Sequence, residues 1–228
     1  MLLITQPDHA AVAGAVMRHW RDERLESPRR ETILLAVSEH DNGWIEVDRA
    51  PLVNADGRLL DFISAPDEVR QGVWPRGIAR LESTPYAAAL VAAHALHIYR
   101  RYRPDPGWAA FFAEIEAARN RLLQQSGETL EALLADYVFV RAGDLVSLTF
   151  CNAWTDVQED ETGYAIHFDP ERARLHVTPD PFRGDSIPIE VTARRLTGEP
   201  FESAAAARAA FDAGPRITLK GVVTGGRP

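Results

Sequence analysis

The hydrophobic period of this chain changes once, near residue 151, and that change limits the folds open to it. Before it, apolar residues recur at three- and four-residue spacing, the period of helices that bury one face. After it, GYAIHF (163–168), ARLHVTP (173–179) and IPIEVTARRL (187–196) alternate with period two between turn residues, as half-buried strands do. The expectation is a mainly α chain, α+β overall. A helical domain covers 1–151, and a small β-rich C-terminal unit covers 152–228. No low-complexity linker separates them, so they should pack together.

Local signals place the elements. Thr5 followed by Gln6-Pro7-Asp8 predicts a helix start, with a hydroxyl cap, a first-turn proline and an acid near the dipole. That helix is expected from Pro7 to about Glu23. Ser27-Pro28 opens a second helix, which Gly43 should terminate, and residues 45–65 read as a loop. A helix over 66–82 should be interrupted at Trp74-Pro75, where proline removes a hydrogen bond. Thr84-Pro85 starts another, reaching about Tyr102; PDPG (104–107) ends it, and helices follow over 108–125 and 129–150. Beyond the strands named above, 203–211 reads as a short helix and 217–223 as a strand, with the tail TGGRP frayed.

Helical phase then raises a chemical question. In SEHDNGW (38–44), His40 and Asp41 follow Val37 by three and four residues, so both flank the buried stripe of Ile33, Leu34 and Val37. An ionised carboxylate buried without a partner costs several kcal/mol. A cation removes that cost. On a later helix His94 stands in the row Ala87, Val91, His94, Ile98, Tyr102, and on the last long helix Asp144 shares a face with Tyr137, Val140 and Leu148. His9 also faces inward, before Val12 and Ala13. His9, His40, Asp41, His94 and Asp144 are therefore the candidate ligands, on four helices. Imidazole and carboxylate suit Fe, Mn or Zn, and without thiolates a structural zinc knot is disfavoured. Each residue has a plainer reading: a hydrogen-bonded core histidine for His94, a turn-forming acid for Asp41 beside Asn42-Gly43, an ion pair with Arg141 for Asp144, a first-turn residue for His9.

An adjacent His-Asp at a helix end, an earlier histidine and a late aspartate resemble the HD-domain superfamily, in which H…HD…D holds divalent metal in a helical bundle, usually for phosphohydrolase chemistry. The resemblance implies an HD-like bundle for the helical domain. Histidines between HD and the last Asp resemble the dinuclear members, among them di-iron oxygenases and cyclic-dinucleotide phosphodiesterases; here His94 is well placed and His97 is the second candidate. More closely, QPDHA, AVSEHDNGW, AALVAAH and DLVSLTFC (144–151) resemble a bacterial family catalogued as domain of unknown function 3891, which brings no established activity.

The leading expectation is a metal-dependent hydrolase of a phosphate ester or anhydride. His9, His40, Asp41 and Asp144 would hold the ion, and His94 would ligate or orient substrate. Glu39, next to the pair, is the candidate base. Arg76 and Arg80 are candidates for an anionic small-molecule substrate, or are solvated helix charges. Trp44 and Tyr86 would line its pocket, or belong to the core. The alternatives are an HD-type di-iron oxygenase and a non-catalytic metal-stabilised binding module.

Other classes are disfavoured. A net charge of −8 argues against nucleic-acid binding. The single Cys151, in the apolar run LTFC, forms no internal disulfide and reads as a buried thiol. There is no GxxxxGK[ST], GxGxxG or GxSxG. MLLITQPDHA lacks the features of a secretory leader, and no apolar run approaches the ~20 residues of a membrane span. The expected setting is cytoplasmic, away from membranes, with a homodimer as the expected assembly if there is one.

Overall fold

A computed structural model describes residues 1–159 and 161–226. The chain is α+β, with helices α1 (Gln6–Met17), α2 (Arg30–Glu39), α3 (Ile45–Arg49), α4 (Asp67–Arg80), α5 (Pro85–Ile98), α6 (Ala109–Ser126), α7 (Leu130–Cys151) and α8 (Ala204–Ala213). The strands are β1 (Leu2–Leu3), β2 (Gln158–Glu159), β3 (Ala165–Asp169), β4 (Arg174–Thr178), β5 (Ser186–Arg195) and β6 (Arg216–Gly225), in the spatial order β1-β5-β6-β4-β3-β2. Among the described residues, β4–β6 is the one parallel pair.

The helices that matter for the site pack on one another: α1, α2, α5 and α7 are mutual neighbours, except that α1 reaches α5 through the other two. β5 shows why the sheet sits where it does. Ile187, Ile189, Val191 and Ala193 are buried while the residues between them face out, so one face of the sheet closes the core. A single apolar cluster runs from α1 through α7 to Ile166 and Val223. The first residues belong to the same sheet: Leu2 pairs with Arg195, and the terminal amine donates to Leu196 O at 2.9 Å.

Several boundaries differ from the sequence expectation, each for a tertiary reason. α1 stops at Met17 instead of about Glu23, because Trp20 is buried with its indole on the Tyr164 hydroxyl (3.2 Å) and Arg21 N–H bonds Pro181 O (2.7 Å). Gly43 does not end α2 with a left-handed turn. The helix ends at Glu39, and Gly43 lies in a tight turn where a Cβ would stand 2.0 Å from Val73 O on α4. The expected loop after it holds α3. Pro75 does not interrupt α4, which continues to Arg80 while packed against α5. α5 ends at Ile98, and Arg100–Tyr102 form a separate 3-10 turn. β6 extends through Thr224 and Gly225 of the expected frayed tail, because β4 and β5 flank it; Arg227 and Pro228 lie outside the described residues. Among the described residues, no helix is long and apolar enough to cross a membrane.

Candidate metal centre

The site is built by the ends and midpoints of four helices. Thr5 caps α1 by accepting from Asp8 N–H (3.2 Å), which sets the phase that turns His9 inward. α2 delivers His40 and Asp41 as it ends, α5 delivers His94, and α7 delivers Asp144. His9, His40 and His94 are buried; the Asp41 and Asp144 side chains are 10% and 16% exposed. Ligand atoms of His9, His40 and Asp41 lie within 4.8 Å of one another, as do those of His40, His94 and Asp144. The His40 ring stands edge-on between the other two imidazoles, with centroids 5.0 Å from His9 and 5.1 Å from His94.

Each imidazole is anchored from behind by Nδ1. His40 Nδ1 donates to Val37 O (2.7 Å), His9 Nδ1 is 2.8 Å from Ser147 Oγ, and His94 Nδ1 is 3.0 Å from the Tyr137 hydroxyl. Such outer bonds fix which ring nitrogen is free to ligate. Ser147 spends its own proton on Asp144 O (2.9 Å), so it accepts from His9 Nδ1–H. The His9 Nε2 lone pair then faces Asp41 Oδ2 at 2.8 Å. Two such electron-rich atoms repel unless a proton or a metal ion lies between them.

His40 Nε2 has the same problem more acutely. It lies 3.3 Å from Asp144 Oδ1 and 3.5 Å from Asp41 Oδ2, yet makes no hydrogen bond of acceptable geometry and is fully buried. Burial opposes a charge on this ring, but the combined pull of Asp41 and Asp144 raises its pKa to about 9. His94 goes the other way. Burial, only partly offset by Asp144, lowers it to about 4, so it is neutral near pH 7 with a lone pair to give. Asp144 stays ionised despite its burial because the histidines hold its pKa well below the ordinary carboxylate value. An orphaned buried nitrogen, a second opposed to a carboxylate, and a donor set of N and O make groups that could hold a metal ion.

The two groups of three share His40 Nε2. With Nδ1–H committed to Val37, that ring has one lone pair, and both groups cannot be complete three-residue sites together.

The remaining expected residues go to different places. Glu39 lines a groove on α1 and α2 with Ser38 and Asn42, which none of the five candidate ligands lines. Trp44 is buried and shares with His9 a cavity of about 550 Å³, walled by apolar residues of β1, α7 and the 51–65 segment. Arg80 bonds Asn42 O and Glu46, and Arg76 lies 3.8 Å from Glu46. The Tyr86 hydroxyl donates to Asp136 (2.7 Å), two helical turns before His94. His97 is outside both ligand groups. Asp144 faces the histidines, while Arg141 turns to Glu161 (3.2 Å).

Sequence reading missed Ser147 and Tyr137 as the outer partners; it named Arg141 only as a partner for Asp144 and gave Arg100 and Arg101 no role, yet all three border a cleft of about 380 Å³ beside His94 and Asp144. The signal for Ser147 was present: it lies one turn after Asp144 on the same face of α7.

Comparison with curated proteins gives no significant match, and comparison with solved structures gives none either. The family model described as "Protein of unknown function (DUF3891)" matches residues 1–198 of the 228, and the chain therefore belongs to that family.

Proposed function

We propose that this protein is a divalent-metal-dependent hydrolase acting on a phosphate ester or anhydride. The observation that carries the reading is the convergence of three Nδ1-anchored imidazoles on two acids, with one buried Nε2 left unsatisfied. His9, His40, Asp41, His94 and Asp144 would hold the ion. A divalent ion there supplies Lewis acidity, polarising a phosphoryl oxygen and making water a stronger acid.

The chain's own groups do the rest. Val37, Ser147 and Tyr137 keep the three rings aimed, so little reorganisation accompanies binding. Asp41 is the more enclosed acid and anchors. Asp144 is the more exposed and borders the open cleft, where it can orient an incoming water. Glu39, in its separate groove, takes no part. The single lone pair of His40 favours one ion, and so favours hydrolysis over the dinuclear chemistry of an oxygenase.

The test loads the purified chain with Mn²⁺, Fe²⁺ or Zn²⁺ and follows phosphate release from a panel of phosphomonoesters, nucleotides and pyrophosphate. Metal-dependent turnover lost in Asp41→Asn and Asp144→Asn is the expected result. Stoichiometric metal with no turnover on any of them would leave a metal-stabilised binding module instead.

A further inference from the structure

We infer that the cleft between α5 and α7 is an anion site, in which Arg100, Arg101 and Arg141 hold the phosphoryl oxygens of the substrate against the open edge of the metal centre. This rests on the hydrolase reading and assigns the residues that recognise its substrate.

His94 and Asp144 form the inner wall of this cleft, and the three arginines and His97 border it. Three arginines line one cleft in a chain of net charge −8; the Arg101 guanidinium rests over the Tyr102 ring at 4.8 Å and donates to its hydroxyl (2.9 Å), an exposed contact it can exchange for an anion. Arg100 and Arg101 sit on the tight turn that follows α5, and Arg141 lies one turn before Asp144 on α7. The Arg141 side chain is only 11% exposed, a nearly buried cation beside the site. Planar guanidinium groups match two oxygens of a phosphate at once, which an ammonium does not.

A carboxylate already occupies the outer side of this cluster. Glu161 lies 3.2 Å from Arg141 and 3.9 Å from Arg100, and its side chain is 73% exposed. An ion pair so open to water is weak. A dianionic phosphate, with more charge and three acceptor oxygens, would displace it. Arg100 also donates to His97 Nδ1 at 2.9 Å, which keeps its guanidinium at the border of the cleft. The volume of about 380 Å³ falls in the range of small-molecule sites.

The test is calorimetric titration of inorganic phosphate into the full-length protein, with Mn²⁺ and without it, alongside metal analysis. Phosphate should bind wild type, and at least about tenfold more weakly to Arg100→Ala/Arg101→Ala and to Arg141→Gln. Glu161→Gln should bind it more tightly, and metal content should be unchanged throughout. Arg141 is nearly buried, so the exposed double variant carries the test if Arg141→Gln does not fold. Equal affinity in wild type and the double variant, or no phosphate binding with or without metal, overturns the inference. Arginine-dependent binding by a chain that takes up no metal would keep the anion site and remove the hydrolase reading; metal uptake without arginine-dependent binding would do the reverse.

Discussion

His40 donates its Nδ1 proton to the carbonyl oxygen of Val37, 2.7 Å away and three residues earlier. The bond uses a carbonyl left over at the end of α2, and it commits the ring to presenting Nε2 to Asp41 and Asp144. On the proposed reading, the one lone pair at the centre of the cluster serves one ion. The purified protein should therefore carry close to one equivalent of divalent metal, and His40→Ala should carry almost none. Ser147→Ala and Tyr137→Phe, which remove outer partners of His9 and His94, should weaken metal binding by about 10–100-fold. Plasma mass spectrometry with chelator competition reads both effects. Two tightly held equivalents would refute the one-ion reading.

Two glycines 29 residues apart should respond oppositely to the same change. At Gly43 an added Cβ would meet the Val73 carbonyl oxygen at 2.0 Å and its carbon at 2.8 Å, both backbone atoms that cannot swing away. Gly43→Ala should cost about 1–3 kcal/mol or more, and it should disturb the neighbouring Asp41. Gly72, inside α4, has only the end of the Arg76 side chain nearby, at 3.5 Å. Gly72→Ala should stabilise by about 0.5–1 kcal/mol through helix propensity. Thermal unfolding of the two variants decides it; equal shifts would show that the turn yields.

Helical phase made the five polar positions legible, because three- and four-residue spacing from Val12, Val37, Val91 and Val140 is a local property. What depended on distant partners was not. Leu2–Leu3 join a strand nearly two hundred residues away, and nothing in a dipeptide announces it. Pro75 reads as a breaker, yet the packing of α4 on α5 carries the helix through it. Arg76 and Arg80 looked free in sequence, but Glu46 on the unforeseen α3 takes them. The arginines of the cleft come together only because α5 and α7 are neighbours.

Asp136 is a buried acid that phase reasoning passed over, and its role is separable from the metal. It is 3% exposed and accepts from Arg29 Nε (2.6 Å) and the Tyr86 hydroxyl (2.7 Å), tying the start of α2 and of α5 to α7. Asp136→Ala should strip both donors of their acceptor. Because Arg29 is 31% exposed, water recovers part of the loss, and about 2–3 kcal/mol is expected. Metal content should not change. A urea midpoint equal to that of wild type, or loss of metal, would contradict this.

Asp48 on α3 accepts the Gln6 backbone N–H at 2.6 Å, but burial outweighs that bond and, with Asp41 and Asp8 adding repulsion, raises its pKa from 3.8 to about 7. A carboxyl whose folded pKa lies above its unfolded one holds a proton in the native state that the unfolded chain releases. Its contribution to stability is therefore most favourable at low pH, falls as pH rises from about 4 to about 7, and is a constant penalty above that. The slope is at most about 1.4 kcal/mol per pH unit. Asp48→Asn keeps the acceptor for Gln6 and removes the titration. Urea midpoints of the two proteins measured from pH 4 to 8 should diverge through this window, with the variant the more stable above pH 7. Parallel curves would mean that Asp48 is solvated well enough to titrate as it does in the unfolded chain.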